Sequence, residues 1–384
     1  MNKKKQIKPG GTIGLLGGGQ LGRMIALAGR AMGYRFVVLD PTEDSPCGQV
    51  SDQQIVASYD DQQAARQLAR LSDVITYEFE NVDAGVAAIL EKEAFVPQGS
   101  KLLSITQHRI REKTAIQACG LPVAPFRVVA SAEEVRAAAV ELGLPAVMKT
   151  ATGGYDGKGQ WVLRSLEEIE EAFACLAKAK TELIVEKFVP FTKELSVIVA
   201  RNLSGEVAAF PIAENIHLEN ILHQSIVPAR IEIEIQQRAE RLAITLAEKL
   251  EMVGLLAVEM FLTEDGELYI NEMAPRPHNS GHYTMDACLT SQFEQHVRAI
   301  SNLPLGSTKL LSPVVMVNIL GGHVAPLLKK IDQLPKKAKL HLYGKQEAKE
   351  KRKMGHINLV SESVEEALQQ ADKLGIWSIN GGMK

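Results

Sequence analysis

The chain has 384 residues, a length that predicts about two or three domains, because one hydrophobic core seldom extends that far. Its 43 basic and 46 acidic side chains leave a net charge of −3, which argues against a protein that binds nucleic acid. Apolar runs stay well short of the roughly 18 residues that a membrane span needs, and no apolar stretch follows Lys3–Lys5, so neither a membrane anchor nor a signal peptide is expected.

The spacing of the cysteines indicates whether the protein belongs in an oxidising or a reducing compartment. The cysteines are scattered and form no Cys-X-X-Cys pair, which favours free thiols over a disulfide framework or a zinc site. We therefore expect a cytoplasmic protein. The residues concerned are Cys47, Cys119, Cys175 and Cys288.

The first predicted unit is a strand, a glycine-rich turn and a helix. Strand Thr12–Leu16 runs into Gly17–Gly22, whose glycines have the GxGxxG spacing, and a second strand, Phe36–Leu39, ends at Asp40. By motif alone this resembles a dinucleotide site with a pyrophosphate at the helix N-terminus. The motif is weak on its own, so a different ligand phosphate and a purely structural turn stay open as alternatives.

Two acids, Glu78 and Glu80, follow the carboxyl end of the predicted strand Val74–Tyr77. Ligands of open α/β sheets gather at that edge, so both are candidates for contacting a polar ligand, although each alone could equally be an exposed loop acid. We expect the first domain to end near Ile110. Its other predicted elements are the strands Ile55–Ala57 and Phe95–Pro97 and the helices Gln62–Leu71 and Val86–Lys92.

A glycine-rich loop, Thr150–Gln160, lies between two predicted strands. This order excludes a Walker loop, which joins a strand to a helix, and it is typical of a flap whose backbone N–H groups cover phosphates. Lys149 and Lys158 would add positive charge, whereas a surface hairpin without a ligand is the alternative. The surrounding predicted elements are the strands Phe126–Ala130, Pro145–Lys149, Trp161–Leu163 and Leu183–Glu186, and the helices Arg109–Cys119, Ala132–Leu142 and Leu166–Ala177.

The strand that ends at Glu186 leads into Lys187–Val189, where an acid, a base and backbone groups could meet an adenine and a ribose. Glu194–Ala200 and Val207–Ala213 are predicted to be antiparallel partners. His217 is predicted in a polar loop, and a lone histidine in a loop is usually only solvated.

A short hairpin is predicted to pair two acids. Asp265-Gly266 separates two β-prone runs, so Glu259 on the first strand is expected near Asn271 and Glu272 on the second. Hard oxygen ligands of this kind suit magnesium, which completes its coordination shell with substrate phosphates. Two strand carboxylates that simply face solvent would be the alternative.

The next segment, Pro275–His282, places a guanidinium, two imidazoles, an amide and a hydroxyl within eight residues that include two prolines. It is too polar for a core and too stiff for a flexible linker, so we predict a positioned anion site. The candidate donors are Arg276, His278, Asn279, Ser280 and His282.

A basic run lies near the end of the sequence, where Lys345–Lys353 carries five cations and two acids between two predicted strands. It could bind an anion, or it could be a solvated charged turn. The remaining predicted elements are the helices Ile231–Leu250, Gln292–Ile300 and Val364–Leu374 and the strands Val314–Leu320, Leu340–Tyr343 and His356–Val360.

Together these motifs resemble the ATP-grasp superfamily, in which a strand lysine, a glycine flap, an adenine-binding segment and paired metal carboxylates follow in this order. Within it the chain is similar to the family of ligases that carboxylate aminoimidazole ribonucleotide in purine synthesis. The specific matches span nearly the whole chain and are GGGQLGRM from Gly17, TGGYDGKGQ from Thr152, NEMAPRPHNSGH from Asn271 and RKMGH from Arg352. Related formate-using enzymes differ at Asn279–Gly281, and Met273 is a minor departure, since leucine is common there.

The resemblance implies an α/β ATP-grasp fold with an N-terminal Rossmann-like pre-ATP-grasp domain and a small C-terminal domain. We place the N-terminal domain at residues 1–110 and the small ATP-grasp lid subdomain at 111–190. The large ATP-grasp subdomain, with the C-terminal part that binds the substrate phosphate, is placed at 191–384. A homodimer is the assembly that the family suggests.

The resemblance also assigns roles to individual residues. ATP would be bound by Arg109, Lys149, Gly154, Tyr155, Asp156, Gly157, Lys158, Gly159, Gln160, Glu186, Lys187, Phe188, Val189, Glu194, His217, Asn271 and Glu272. Magnesium, or manganese in its place, would be bound by Glu259 and Glu272. Substrate bicarbonate and carboxyphosphate would be held by Arg276, His278, Asn279 and Ser280, with Arg276 and His278 as catalytic residues. The ribonucleotide would contact Gln20, Leu21, Glu78, Tyr155, Asp156, Lys158, Lys345 and Arg352, and Asp156 is the catalytic candidate for orienting or deprotonating its amine.

In the implied reaction, bicarbonate attacks the γ-phosphate of ATP to give carboxyphosphate. The amine of aminoimidazole ribonucleotide then takes the carboxyl group, directly or as released carbon dioxide, and the product passes to a mutase of the same pathway. Three alternatives stay open: another ATP-grasp ligase such as the formate-dependent glycinamide ribonucleotide enzyme, a non-catalytic nucleotide sensor, and a nicotinamide oxidoreductase. The last of these would leave Glu259 and Glu272 unexplained.

Overall fold

The structure is a computed structural model that describes residues 5–154 and 158–377. Its N-terminal elements are β1 (Thr12–Leu16), α1 (Gln20–Ala31), β2 (Arg35–Asp40), β3 (Gln53–Val56), α2 (Gln62–Leu71), β4 (Val74–Tyr77) and α3 (Ala84–Glu93). The strands form a parallel sheet in the order β3-β2-β1-β4. Leu16 pairs with Tyr77 at the carboxyl ends of β1 and β4, so the glycine turn after β1 and Glu78 after β4 leave the sheet side by side.

The predicted strand Phe95–Pro97 is not formed, and this prediction is wrong. The carbonyl of Phe95 accepts a hydrogen bond from the N–H of Ile75 at 2.9 Å, and a turn follows at Pro97. Proline has no N–H group to donate to a neighbouring strand, so the pairing stops there.

A second sheet belongs to the middle of the chain, whose elements are α4 (Lys101–Thr106), α5 (Arg109–Ala118), β5 (Phe126–Val129), α6 (Ala132–Leu142), β6 (Ala146–Thr150), β7 (Gln160–Leu163), α7 (Ile169–Leu176) and β8 (Leu183–Lys187). This sheet is antiparallel in the order β5-β8-β6-β7, and α6 and α7 pack on it. Lys149 on β6 pairs with Gln160 on β7. The glycine-rich loop therefore joins two neighbouring antiparallel strands, as predicted.

The third sheet is the largest, and it is built from the rest of the chain. Its strands are β9 (Phe191–Arg201), β10 (Val207–Ala209), β11 (Ala213–Leu218), β12 (Ile221–Val227), β13 (Gly254–Thr263), β14 (Leu268–Ala274), β15 (Val314–Leu320), β16 (Ala338–Leu342) and β17 (Lys353–Val360). Their order is β14-β13-β9-β11-β12-β15-β17-β16, with β10 on the side of β9. The C-terminal strands β15, β16 and β17 thus extend the same sheet that carries the hairpin β13–β14. The helices of this part are α8 (Ile233–Lys249), α9 (Thr284–Ala287), α10 (Gln292–Ile300), α11 (Gly321–Lys329) and α12 (Val364–Leu374).

Two predictions about this sheet are wrong. The predicted strand Val207–Ala213 is divided, because Pro211 lies between β10 and β11 and cannot donate to a ladder. His217 lies in β11 and not in a loop. Its neighbours Glu214 and Asn215 are polar but buried, and each is hydrogen-bonded across the sheet. The polar composition that suggested a loop therefore belongs to an interior strand whose polar groups are paired.

Helix packing brings the parts of the chain together. Helix α8 packs on β9 and β13 through Ala239, Ala243 and Leu246, a stripe with the spacing of one helix face. Helix α10 packs against α1 through Phe293 and Val297 and also contacts β13. The N-terminal sheet is thereby docked beside the hairpin that carries the two acids. Within residues 5–154 and 158–377, no helix is both long and apolar enough to cross a bilayer.

Candidate active site

Glu259 on β13 and Glu272 on β14 are direct register partners, so the predicted pairing of the two acids is confirmed. Opposite residues of an antiparallel pair project to the same face of the sheet, which places both carboxylates on one surface. The turn between the strands is closed by a 3.0 Å hydrogen bond from the N–H of Thr263 to the carbonyl of Glu267. Gly266 has a φ of +81° in this turn, a conformation that glycine adopts without steric cost.

The two carboxyl groups have different electrostatic environments. His278 Nε2 lies 2.9 Å from Glu259 Oε1, and although burial alone would raise the pKa of Glu259, the imidazole lowers that pKa to about 2. Glu272 keeps 44% of its side chain exposed, and Arg109 Nη1 lies 3.5 Å from its Oε2. Desolvation of the carboxyl group by the surrounding protein and the charge of Glu259 raise the pKa of Glu272.

This donor set fits a magnesium ion. Two neighbouring carboxylates, one with a raised pKa, would be stabilised by a cation placed between them, and magnesium commonly takes one or two carboxylates plus phosphate oxygens. No cluster of three or more His, Cys, Asp or Glu side chains suited to a metal occurs in the part of the chain that the structure describes. An ion held by Glu259 and Glu272 would therefore need water and ligand oxygens to complete its shell.

A buried charge cluster joins α5 to the strands β6 and β8 of the lid sheet. Lys149 Nζ and Lys113 Nζ lie 3.0 and 3.2 Å from the same oxygen, Oε2, of Glu186. Burial would raise the pKa of Glu186, but the two ammonium groups lower that pKa to about 2. Burial lowers the pKa of Lys149 despite the same partner. The sequence prediction included Lys149 and Glu186 and missed Lys113.

A second histidine–carboxylate pair lies on the neighbouring strands. His217 Nδ1 on β11 is 3.1 Å from Glu194 Oε1 on β9. Burial opposes protonation of this imidazole, yet the hydrogen bond and charge of Glu194 raise the pKa of His217 overall. The structure thus brings together two residues that were predicted separately as ATP contacts.

The predicted anion site Pro275–His282, called the anion segment below, is held by an acid from the N-terminal domain. Arg276 Nη2 lies 2.6 Å from Glu80 Oε1, and its Nη1 donates to the carbonyl of Pro277 at 3.1 Å. Glu80 was predicted as a candidate ligand contact, whereas here its carboxylate pairs with the guanidinium. The ion pair fixes the guanidinium of Arg276, while 22% of the arginine side chain stays exposed.

A chain of buried hydrogen bonds supports His278. Its Nδ1 lies 2.9 Å from Ser280 Oγ, and Ser196 Oγ donates to the same hydroxyl at 2.7 Å. Asn215 Nδ2 donates to Ser196 at 2.9 Å, and Ser225 donates to Asn215 Oδ1 at 2.8 Å. The chain spans three strands and the anion segment, so it fixes the orientation of the imidazole that faces Glu259.

Two side-chain amides matter for the anion segment: Gln292 supports its backbone from α10, and Asn279 belongs to it. Gln292 on α10 accepts from the N–H of His278 at 2.9 Å and donates to the His278 carbonyl at 2.8 Å. Asn279 Nδ2 is buried and finds no hydrogen-bond acceptor among the described residues. A buried amide donor without an acceptor is costly, and an anionic ligand bound there would supply one.

The glycine turn after β1 is occupied by side chains of the protein itself. Both oxygens of Glu78 accept backbone hydrogen bonds, from Gly19 and Gly22 at the start of α1. Asp40 accepts from the N–H of Gly18 at 2.7 Å and from the hydroxyl of Tyr59 at 2.5 Å. These carboxylates fill the positions that a pyrophosphate and a ribose would need, which argues against the dinucleotide interpretation. Gln20 and Leu21 form the first turn of α1, beside Glu78.

The basic loop between β16 and β17 reaches the N-terminal domain. Gln49 Nε2 donates to the carbonyl of Gly344 at 3.0 Å, and Lys345 Nζ donates to the carbonyl of Lys353 at 2.8 Å. Burial, with the charge of Arg352, lowers the pKa of Lys345 to about 8, while the charge of Glu78 opposes that shift. The structure therefore brings Lys345 near both Arg352 and Glu78, as the prediction of a shared ligand requires.

The remaining predicted ATP contacts surround the lid. Tyr155, Asp156 and Gly157 lie outside the described residues. Gly159 accepts from the N–H of Thr150 at 2.8 Å, and its φ of +69° favours glycine. At the end of β8, the N–H groups of Lys187 and Phe188 donate to the carbonyls of Pro125 and Pro145 at 2.8 and 3.3 Å. The other residues of this set are Gly154 and Lys158 in the glycine-rich loop, Gln160 on β7, Val189 after β8 and Asn271 on β14.

Sequence reasoning missed the supporting residues of the site, which are Lys113, Ser196, Asn215, Ser225 and Gln292. One of them carries a readable signal, because Lys113 follows Arg109 by four positions on α5, the spacing that places two side chains on one helix face. The serines and amides lie on strands of the large sheet and on α10, and no local pattern identifies their partners. Only the sheet register reveals them.

Family models match most of the chain. Residues 11–107 match the ribonucleotide synthetase preATP-grasp domain, and residues 114–293 match the ATP-grasp domain. Residues 314–370 match the C-terminal domain of phosphoribosylaminoimidazole carboxylase. The predicted α/β ATP-grasp fold with a pre-ATP-grasp domain and a C-terminal domain is confirmed.

Similar proteins agree over the full length. The N5-carboxyaminoimidazole ribonucleotide synthase of Bacillus subtilis is 55% identical over 367 residues, which cover 96% of each chain. The crystal structure of an ADP complex of an N5-carboxyaminoimidazole ribonucleotide synthetase is 60% identical, with a TM-score of 0.94 over 97% of this chain and 98% of that one. The Aspergillus clavatus synthase, crystallised with ADP and 5-aminoimidazole ribonucleotide, is 34% identical, with a TM-score of 0.88 over 95% and 97%. The chain therefore belongs to the N5-carboxyaminoimidazole ribonucleotide synthetase family of ATP-grasp ligases.

Proposed function

We propose that this chain carboxylates 5-aminoimidazole ribonucleotide with bicarbonate at the expense of ATP, giving N5-carboxyaminoimidazole ribonucleotide, ADP and phosphate. The observation that carries the proposal is the register pairing of Glu259 with Glu272. Arg109 contacts Glu272 on one side of this pair, where the charge of Lys149 also acts, and His278 of the anion segment contacts Glu259 on the other. ATP and bicarbonate would thus bind next to each other beside Glu259 and Glu272.

The ATP half of the site neutralises phosphate charge. Phosphoryl transfer needs positioning and charge compensation more than covalent chemistry, and Arg109 and Lys149 supply two cations near the paired carboxylates. Glu259 and Glu272 are the residues that would hold a magnesium or manganese ion, and such an ion would supply neutralisation of the phosphate charge. Glu194 and His217 would meet the nucleotide on the neighbouring strands, and the glycine loop would cover the phosphates.

The anion half holds bicarbonate against the γ-phosphate. An oxygen of bicarbonate attacks phosphorus, the bond to the β–γ bridging oxygen breaks, and ADP leaves with carboxyphosphate formed. Arg276, kept in place by Glu80, and the unpaired amide of Asn279 are the donors best placed to hold the negative oxygens. Carboxyphosphate hydrolyses in water, so closure of the glycine loop over the site would protect it.

The ribonucleotide would enter between the N-terminal sheet and the basic loop. Its exocyclic amine takes the carboxyl group while phosphate leaves, and Asp156 is our candidate for orienting or deprotonating that amine. Lys345 and Arg352 would bind the ribonucleotide phosphate, and Glu78 with Gln20 and Leu21 would contact the rest of it. This assignment uses the glycine turn for the ribonucleotide and not for a dinucleotide.

The proposal is tested by the dependence of ADP release on both co-substrates. We expect ADP release to require bicarbonate and 5-aminoimidazole ribonucleotide together, and ¹³C from labelled bicarbonate to appear in the product by NMR. Formate with glycinamide ribonucleotide should be inactive, which separates this function from the formate-dependent ATP-grasp ligases. ADP release that ignores bicarbonate, or tight NADH binding without ATP binding, would contradict the proposal.

We extend the proposal to the surroundings of the enzyme. A homodimer in the cytoplasm is its expected state, and the unpaired cysteines Cys47, Cys119, Cys175 and Cys288 suit a reducing compartment. Its carbamate product would pass to a mutase that moves the carboxyl group from nitrogen to carbon. We also propose that the domains of the chain meet near residues 110 and 190.

A further inference from the structure

Two lysines compete for one carboxylate oxygen in the lid cluster. Lys149 Nζ and Lys113 Nζ lie 3.0 and 3.2 Å from Glu186 Oε2, while Glu186 Oε1 is buried without a hydrogen-bond partner among the described residues. One carboxylate needs only one cation to balance its charge. The cluster therefore holds one more positive charge than Glu186 requires.

The two lysines differ in their access to the cleft. The side chain of Lys113 is 1% exposed, and its Nζ also lies 3.4 Å from the carbonyl of Asn271. The side chain of Lys149 is 10% exposed and stands on the strand that leads directly into the glycine-rich loop. Only Lys149 is placed to turn toward a ligand in the cleft, whereas Lys113 is confined between α5, β8 and β14.

The arrangement has a consequence for phosphate binding. A buried carboxylate that loses its last cation is strongly destabilised, because its charge is then neither solvated nor paired. If Lys149 were the only partner of Glu186, a phosphate that drew Lys149 away would leave such a charge behind. With Lys113 on the same oxygen, Lys149 can turn to a phosphate while Glu186 stays paired.

We infer that Lys113 is a positioning residue that keeps Glu186 paired and thereby releases Lys149 to the nucleotide phosphates. The inference rests on the proposed function, since it requires that the cleft binds ATP through Lys149. Without Lys113, Lys149 would be bound to Glu186 as its sole partner, and each phosphate contact of Lys149 would compete with that bond. Lys113 should therefore affect the affinity for the phosphates and not the affinity for the adenosine moiety.

The test compares ligands with and without phosphates. In Lys113→Met, isothermal titration should give an unchanged dissociation constant for adenosine, because adenosine has no phosphate to draw Lys149 from Glu186. The dissociation constants for ADP and ATP should rise by about tenfold or more, the value of one lost charge-assisted hydrogen bond. Arg111→Met removes an exposed cation from the same helix and should leave all three constants at wild-type values.

The outcomes separate the inference from the proposed function. Failure of the wild-type protein to bind ATP overturns the proposed function. Normal ATP binding by Lys113→Met, or equal losses for adenosine and ATP, overturns the inference and leaves the proposed function standing.

A second background tests whether Lys113 acts through Glu186, and it also removes the buried carboxylate that could make Lys113→Met fold poorly. In Glu186→Gln the amide no longer holds Lys149 by charge, so adding Lys113→Met should not change the ratio of ATP affinity to adenosine affinity. A ratio that falls equally in both backgrounds shows that Lys113 acts independently of Glu186, and the inference is then wrong.

Discussion

Glu80 holds the guanidinium of Arg276, with 2.6 Å between Glu80 Oε1 and Arg276 Nη2. The acid follows a strand of the N-terminal sheet, and the arginine follows the hairpin that carries Glu259 and Glu272. The pair therefore connects the N-terminal domain with the predicted bicarbonate site. Both side chains are partly exposed, so water screens their attraction and the contact orients Arg276 more than it stabilises the fold.

Replacement of Glu80 should affect bicarbonate specifically. In Glu80→Gln the guanidinium loses its ionic partner, and we expect the KM for bicarbonate to rise by roughly fivefold, the equivalent of about 1 kcal/mol. The KM for ATP should stay at its wild-type value, because Arg109 and Lys149 lie elsewhere. Steady-state kinetics with each substrate varied in turn provide the measurement, and Glu43→Gln, an exposed acid of the same domain, is the control. Equal changes in both constants would contradict the assignment.

Removal of Arg276 or His278 themselves should have a larger effect on the same step. In Arg276→Ala and His278→Ala we expect product formation to fall by roughly 100-fold or more, since the first removes a donor to a developing negative charge and the second removes the imidazole that pairs with Glu259. ATP should still bind, which a titration with ATP can check. Loss of ATP affinity with normal carboxylation at saturation would assign the segment to ATP instead.

The paired acids should be indispensable for turnover. Glu272→Ala should abolish activity and Glu259→Ala should reduce it severely, because each removes an oxygen ligand from the proposed magnesium site. Circular dichroism should show the fold retained, and Glu264→Ala in the hairpin turn is the matched control. A wild-type rate in either variant at saturating magnesium would refute the metal assignment.

Part of this site was predictable because its residues are close in sequence. A two-strand hairpin fixes the register of Glu259 against Glu272, and the anion segment follows within a few residues. The partner of Arg276 lies 196 positions away, and no local pattern specifies such a contact.

The error at His217 has the same physical origin, and so does the misleading glycine motif. Polar residues around His217 suggested a loop because their partners lie on other strands. The glycine turn matched a dinucleotide motif, yet Glu78, far along the sequence, occupies its N–H groups. The fold was readable from local periodicity, whereas the hydrogen-bond partners depended on how distant strands align.

A buried histidine predicts how stability depends on pH. Burial lowers the pKa of His296 from 6.5 to about 3. The unfolded chain therefore takes up this proton first as the pH falls, and the stability present above pH 6.5 is lost progressively toward pH 3. In His296→Gln the free energy of unfolding should fall less steeply with decreasing pH, by up to about 1.4 kcal/mol per pH unit.

Urea unfolding of both proteins at several pH values between 7 and 4 is the appropriate measurement. Thr76→Val is the matched control, because it removes the hydroxyl 2.8 Å from His296 Nε2 while keeping the imidazole. That variant should keep the wild-type slope. A wild-type slope in His296→Gln as well would mean that another group is responsible for the acid sensitivity.

The basic loop offers the clearest choice between a ligand site and a solvated turn. Lys345 is half-buried, and burial together with the charge of Arg352 lowers its pKa to about 8, so an anion bound beside it would favour its charged form. Arg352 is exposed and donates to the carbonyl of Glu347 at 3.1 Å, so its remaining donors can form a fork with a phosphate. Lys349 pairs with Glu347 on the exposed side of the loop.

These contacts predict different effects for three substitutions. In Arg352→Ala we expect the KM for the ribonucleotide to rise by roughly 10- to 150-fold, because a charge-assisted hydrogen bond to a phosphate is worth about 1.5–3 kcal/mol. Lys345→Ala should act in the same direction, and the double variant should be less than additive if both cations touch one phosphate. Lys349→Ala should resemble the wild-type enzyme, and the KM for ATP should stay constant throughout. If all three are silent, the phosphate must bind at the N-terminus of α1, where Glu78 would first have to release the N–H groups of Gly19 and Gly22.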